Sequence, residues 1–377
     1  MKILLLHASA GAGHKRAAEA LAKAFAQLSP ESQIRVCDIL DFTPPLFRQT
    51  YAHGYLDLVR KAPELWGYLY SQSDRKAEEP WRKKVRALFN KLNAASFFKY
   101  YRDFNPDIAV CTHFMPLQML TERRRRGKSA APVFCAVTDF AVHALWILKH
   151  VDAYYVASEE ARRQLIRKGQ PADRVTVSGI PVDPVFAESL PRLKALQTLG
   201  LEDSLPVVLL LTGGFGVGPA LELLRSFESE QHPFCRLVVV AGANAKLKAA
   251  AESIAHKLRT PVQVLGFVNH IHTLMDAADL IVTKPGGLTT SEVLAKGKPM
   301  LVIDPIPGQE QRNCEVVLEA GMAARLFDAE DACFKIKTLL QDRERLDQMS
   351  RNAARFARAR AAHDIAADIL RRSGHLP

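Results

Sequence analysis

Val282-Thr283-Lys284-Pro285-Gly286-Gly287-Leu288-Thr289-Thr290-Ser291-Glu292 is followed by Lys298-Pro299-Met300-Leu301-Val302-Ile303-Asp304 and then by Pro307-Gly308-Gln309-Glu310. An apolar strand, Leu280-Ile281-Val282, runs into a turn at Lys284, Gly286 and Gly287 and then into a helix opened by Thr289, Thr290 and Ser291. Free backbone N–H groups and hydroxyls thus converge where the helix dipole favours an anion. That pattern is a phosphate cradle. Glu292 reads as part of the first helical turn, where its carboxylate can accept bonds from ribose hydroxyls, and the loop after the next strand offers Gln309 and Glu310 to another polyol. Phosphate, ribose and sugar together describe one ligand class, a nucleotide sugar.

Upstream of the cradle, Pro206-Val207-Val208-Leu209-Leu210-Leu211 predicts a strand that enters Thr212-Gly213-Gly214-Phe215-Gly216-Val217-Gly218 and then a helix from Ala220 to Phe227. This glycine cluster reads either as a wrap for a diphosphate or as a tight turn. Further strands at 237–241, 262–265 and 280–282 alternate with helices, which predicts a doubly wound sheet. Gly179-Ile180-Pro181-Val182-Asp183-Pro184 is punctuated by proline and has no periodicity, as in an interdomain linker.

The first half repeats the scheme. Residues 2–7 read as a strand, Ala8 to His14 as a glycine turn, and Lys15 to Leu28 as an Ala-rich helix. Gly11 and Gly13 permit close approach of a ligand, and the loop delivers His14 to the carboxyl end of the strand, where open α/β sheets bind substrates. The bland reading is a tight turn with an incidental histidine. Strands follow at 34–39, 108–111, 133–137, 152–156 and 175–177. Asp139, at the end of one of them, is either a functional acid or a helix cap. The expected organisation is an N-terminal domain of residues 1–184, a C-terminal domain of 185–343 and a strandless helical tail of 344–377. Both domains are α/β and doubly wound, facing each other across a cleft.

At 377 residues, 48% hydrophobic and 24% charged, the chain has the composition of a two-domain globular protein. It has no run of about 18 apolar residues that would predict a membrane span. The apolar run at the start is too short for a secretory signal, so a cytoplasmic location is expected. Six scattered cysteines form no CxxC pair and suit neither a disulfide framework nor a structural metal. The net charge of +11 is lopsided, with 23 Lys and Arg against 13 Asp and Glu in residues 1–150, and 28 against 27 in the remainder. A basic half suits nucleic acid or anionic lipid. Within it, Trp81, Arg82, Lys83, Lys84, Arg86 and Phe89 belong to an amphipathic segment with a basic polar face, the composition of a helix lying in a bilayer interface. Its bland alternative is a helix packed on the sheet. Four consecutive arginines, Arg123 to Arg126, read as a solvated loop.

Several readings compete. Arg16 stands where a dinucleotide fingerprint needs its third glycine, no Walker lysine follows a glycine loop, and no nucleic-acid module signature is present. A sugar-nucleotide enzyme explains more. Ser9-Ala10-Gly11-Ala12-Gly13-His14 with Ala17-Ala18-Glu19-Ala20-Leu21, the Lys284 to Glu292 stretch, and Pro307-Gly308-Gln309-Glu310 resemble the family of monogalactosyldiacylglycerol synthases and processive diacylglycerol glucosyltransferases. Thr138-Asp139, Gly179-Ile180-Pro181-Val182 and Leu265-Gly266-Phe267 fall in the family's order, so the resemblance spans nearly the whole chain.

The resemblance implies a GT-B fold and a C-terminal helix crossing back onto the first domain, while the basic first half and the amphipathic segment predict peripheral attachment to an anionic membrane surface. The resemblance further implies transfer of a hexose from a UDP-sugar to the hydroxyl of diacylglycerol, with inversion at C1 and neither metal nor further cofactor. By position it makes His14 the base, lines the diphosphate with Gly213, Gly214 and Gly216, and sets Phe267 and Val268 against uracil. It also gives phosphate to Thr289 and Thr290, ribose to Glu292 and the hexose to Gln309 and Glu310. Pro285-Gly286-Gly287-Leu288 departs from the Ala-Gly-Pro-Gly typical of the plant enzymes, which points to a bacterial member and to glucose. The alternatives are an N-acetylglucosaminyltransferase of lipid intermediates or a UDP-N-acetylglucosamine 2-epimerase on the same scaffold, and a non-catalytic lipid-binding protein.

Overall fold

The computed structural model describes residues 1–9, 11–44, 94–129, 131–213 and 219–376. The chain divides into two compact units, Met1–Pro184 with Ile306–Arg312 and Arg360–Pro377, and Val185–Pro305 with Asn313–Ala359.

The first unit is built on β1 (Lys2–His7), β2 (Gln33–Asp38), β3 (Ile108–Cys111), β4 (Val133–Ala136), β5 (Ala153–Val156) and β6 (Val175–Val177). All neighbours pair in parallel, in the order β2-β1-β3-β4-β5-β6. Alternate side chains feed two cores. Leu4 and Leu6 join Cys111, Cys135 and Tyr154 on one face, while Ile3 and Leu5 join Val110, Phe134 and Tyr155 on the other. Strands buried on both faces read as continuous apolar runs, which is why they were visible in the sequence.

The helix Ala12–Leu28 follows β1 and lays Ala18, Leu21, Ala24 and Phe25 on the second of these faces. Beside it packs Ala361–Arg372, through Ala362, Ile365, Ala366, Ile369 and Leu370. The alanines let the two backbones approach, and each fully buried Leu, Ile or Phe contributes roughly 1.5–3 kcal/mol. Tyr155 donates to Asp368 at 2.9 Å and ties the late helix to the sheet. The expected tail therefore divides: Arg343–Phe356 stays with the second unit and Ala361–Arg372 completes the first.

The second unit is built on β7 (Val207–Leu211), β8 (Arg236–Val240), β9 (Val262–Leu265), β10 (Leu280–Thr283), β11 (Met300–Ile303) and β12 (Ala323–Leu326), in the order β12-β11-β10-β7-β8-β9, again all parallel. The edge strand β12 (Ala-Ala-Arg-Leu) was not foreseen, since two alanines give little β signal.

In each sheet the order reverses at one point, between β1 and β3 in the first unit and between β7 and β10 in the second. Connections leave such a point in opposite directions, and the crevice at the carboxyl ends of those strands binds ligands. His14 follows β1 and Thr112 follows β3; Gly213 follows β7 and Lys284 follows β10.

Candidate active site

In the second unit the helix after β10 starts at Gly287, two residues earlier than the threonines suggested, and runs to Ala295. Gly286 is its N-cap, no side chain caps it, and no acidic residue stands in its first turn, so its leading N–H groups are left for an anion. The turn before it is held by Gly286 N–H donating to Lys284 O at 2.9 Å, and Asn313 donates from Nδ2 to Pro285 O at 3.1 Å. Asn313, fully buried, had no signal in the sequence.

Of the three hydroxyls expected at the cradle, the structure separates one. Ser291 donates back to Gly287 O at 2.8 Å, a bond within the helix, and so leaves the cradle. Thr290 is 0% exposed and its Oγ1 has no partner among the described residues. Such a group costs about 1–3 kcal/mol if left unsatisfied, and a bound anion relieves that cost. Glu292 falls in the second helical turn, not the first, because the helix starts early; it is 2% exposed, as expected of a carboxylate that binds polar groups inside a pocket. Gly213 has φ +73, a left-handed backbone that a side chain rarely adopts, so the loop after β7 needs a glycine there. Phe267, after β9, is 74% exposed, with Val268 beside it half-buried. An exposed ring of that size is suited to stacking on a planar base.

In the first unit His14 lies in the first turn of Ala12–Leu28, with Gly11 as N-cap at φ −170, and not in the loop expected for it; Gly13 is in the same turn. Its Nδ1 is 2.8 Å from Thr112 O and 2.9 Å from Thr138 Oγ1. A carbonyl only accepts, so Nδ1 carries the hydrogen and Nε2 keeps the lone pair. Thr112 Oγ1 in turn donates to His14 O at 2.8 Å, which locks the helix start onto β3. The His113 ring meets His14 edge-on at 4.6 Å and Trp146 lies at 6.2 Å, walls that remove water. Burial lowers the His14 pKa to about 4, against the opposing pull of the Thr112 carbonyl, which favours the charged form. At neutral pH the ring is a neutral base of defined tautomer.

Two family models match the chain. The one described as monogalactosyldiacylglycerol (MGDG) synthase covers residues 14–182, and the one described as glycosyl transferases group 1 covers residues 216–356. The processive diacylglycerol beta-glucosyltransferase of Bacillus cereus (strain AH187) is 30% identical over 370 residues, which span 98% of this chain and 93% of that protein. The chain belongs to this family of glycosyltransferases. Among solved structures, Acinetobacter baumannii MurG matches with a TM-score of 0.64 at 17% identity, over 98% of this chain and 99% of that one. The S. aureus MnaA-UDP co-structure matches with 0.66 at 14% identity, over 100% and 97%. The fold is GT-B.

In this glycosyltransferase Asp139 is buried after β4 and accepts from Gln309 Nε2, whereas Glu310 Oε2 accepts from Ile306 N at 3.0 Å and braces its own loop. Gly214 and Gly216 lie outside the described residues, as do Trp81, Arg82, Lys83, Lys84, Arg86 and Phe89. The arginine run is solvated in its second half, where Arg125 and Arg126 are exposed, and differs from that reading in its first. Arg124 pairs with Asp152, Arg125 and Arg126 share Glu122 at 2.8 Å, and Arg123 stacks on Phe98 with 5.0 Å to the ring centre. Thr112, His113, Thr138 and Trp146 were not among the expected site residues. Their signal was position alone, since Thr112, His113 and Thr138 sit at the carboxyl ends of strands near a reversal in sheet order.

Proposed function

We propose that this glycosyltransferase moves a hexose, glucose by the departure at Pro285-Gly286-Gly287-Leu288, from a UDP-sugar to the hydroxyl of diacylglycerol at the cytoplasmic face of the membrane, with inversion at C1. The first unit supplies the base for the acceptor and the second binds the nucleotide of the donor. The observation that carries the reading is the uncapped start of the helix Gly287–Ala295, with the unpartnered Thr290 hydroxyl and the buried Glu292 behind it. Phosphate and ribose chemistry meet there, in a chain 30% identical to a processive diacylglycerol glucosyltransferase. The UDP in the MnaA co-structure, on the same fold, accords with it.

In the reaction the acceptor oxygen forms a bond to C1 as the bond from C1 to the diphosphate breaks. The hydroxyl proton passes to Nε2 of His14. A base with a pKa of about 4 takes it late, once the forming bond has made the hydroxyl acidic. The departing charge is met by the helix N–H groups and the Lys284 ammonium, dipoles and charge fixed in advance. Phe267 stacks on uracil, Glu292 accepts from the ribose, and Gln309 and Glu310 hold the hexose.

Incubating the protein with diacylglycerol vesicles and, separately, UDP-glucose, UDP-galactose and UDP-N-acetylglucosamine, then analysing the lipids, tests this. A glycosylated diacylglycerol is expected. Epimerised sugar with no lipid product would overturn the reading in favour of a 2-epimerase, and binding of lipid with no product from any donor would leave a lipid-binding protein.

A further inference from the structure

Lys284 and Asp304 end adjacent strands: Thr283 of β10 pairs with Val302 of β11, and each charged residue follows its strand at the carboxyl edge where the cradle helix opens. Lys284 Nζ stands 2.9 Å from Asp304 Oδ2, with the lysine side chain 18% exposed and the aspartate 56%. A pair with one partner so open to water contributes little to stability. Asp304 nevertheless holds φ +45, a left-handed backbone that aspartate adopts more readily than most residues but still at some cost, and such positions cluster at functional sites. The placement also opposes the site's purpose, since a carboxylate beside the cradle repels the anion that the helix start attracts.

We infer that Asp304 is an exchangeable counter-ion for Lys284. It holds the ammonium at the cradle while the site is empty, yields it to the diphosphate of the incoming nucleotide, and reclaims it as the nucleoside diphosphate leaves. A diphosphate carries more charge than one carboxylate and reaches the helix N–H groups as well, so it wins the lysine when present. Once displaced, Asp304 turns to solvent at little cost because it is already more than half exposed. Asp304 therefore sets a moderate affinity for the nucleotide and favours its release. This rests on the reading that the cradle takes the diphosphate of UDP.

Calorimetry with UDP and with uridine, on the full chain across a salt series, tests it. Asp304→Asn should bind UDP about 5- to 10-fold more tightly at low salt, the gain shrinking as salt screens the charge. Asp304→Gly, which suits the left-handed backbone, should show the same gain and guards against misfolding of the first variant. Lys284→Met should weaken UDP at least about 10-fold, and in that background Asp304→Asn should add little. Uridine should bind wild type and the four variants alike. UDP affinity unchanged or weakened in both Asp304 variants overturns the inference. So does an equal gain in the Lys284→Met background, or a gain for uridine. A wild-type chain that fails to bind UDP overturns the donor reading instead.

Discussion

Gln309 donates from Nε2 to Oδ1 of Asp139 at 2.5 Å, both within the first unit. An ionised carboxylate only accepts, so it is the amide nitrogen that faces Asp139 and the amide carbonyl that is turned away. Gln309 therefore turns an acceptor of fixed polarity away from Asp139, which under the proposed function would meet a hydroxyl of the donor hexose. Asp139→Asn removes this constraint, because an amide can face Gln309 with either end. The expected result is a KM for UDP-hexose raised about 10-fold, the scale of one charged hydrogen bond, with UDP affinity nearly kept. The exchanged pair Asp139→Asn with Gln309→Glu restores an acceptor facing outward and should recover most of the loss. A fall in kcat at constant KM, not rescued by the exchange, would place Asp139 on the reacting atoms.

His14→Ala should lower turnover roughly 10²–10⁴-fold, the usual worth of a general base. UDP binding should stay close to wild type. Turnover and calorimetry measured side by side decide it, and a variant with full turnover at saturating acceptor removes His14 from the chemistry.

Acid should act later than an ordinary histidine suggests. Burial holds the folded pKa of His14 near 4 against 6.5 in the unfolded chain, so between those values the unfolded state binds the extra proton. The stability from this site is complete above about 6.5 and is lost as pH falls toward 4; His113 and His7, also lowered by burial, act in the same direction. The acid limb of the rate profile should have its midpoint nearer 4 than 6.5, and the melting temperature should fall on acidification. A midpoint at the ordinary histidine value contradicts the burial.

Glu292→Ala should weaken UDP binding, since contacts between a buried carboxylate and hydroxyls are worth roughly 1–3 kcal/mol each. Uridine should lose as much as UDP, because the loss is at the ribose. Equal affinity of variant and wild type for both ligands would take Glu292 out of the site.

Attachment to vesicles should grow with anionic lipid and fall with salt, at about 1 kcal/mol for each engaged Lys or Arg. Replacing Arg82, Lys83, Lys84 and Arg86 by Gln should remove the salt-sensitive part. Trp81→Ala and Phe89→Ala should weaken binding even at high salt, since rings supply depth and not charge. Sedimentation with vesicles across a salt series measures both, and variants that bind like wild type return the segment to an ordinary packed helix.

What could be read in the sequence was what short-range chemistry determines. Val282 to Glu292 shows a strand, a turn and a helix start in eleven consecutive residues, and β3, β4, β5, β7, β10 and β11 show as apolar runs because both their faces are buried. What escaped depends on sheet order. Thr112 lies 98 residues from His14, and only the placing of β3 beside β1 brings its carbonyl to the ring. Ser291 escaped for a different reason, since a serine near a helix start bonds outward or back to its own helix at similar cost, and the sequence pattern does not choose. The arginine run is solvated in one half only: Arg125 and Arg126 are exposed, whereas Arg123 and Arg124 are held by Phe98 and Asp152, which come from separate elements.

The helix Ala361–Arg372 shares a core with Ala12–Leu28, so the first unit is assembled from segments far apart in the sequence. During synthesis the helix Ala12–Leu28 emerges hundreds of residues before Ile365 and Ile369, which share its core, and at about 5–20 residues per second that interval lasts tens of seconds. That core thus stays incomplete until Ala361–Arg372 is made, and a fragment cut at Pro184 lacks this part of it permanently. A graft that borrows the first unit has to bring three pieces, Met1–Pro184, Ile306–Arg312 and Arg360–Pro377, and not one.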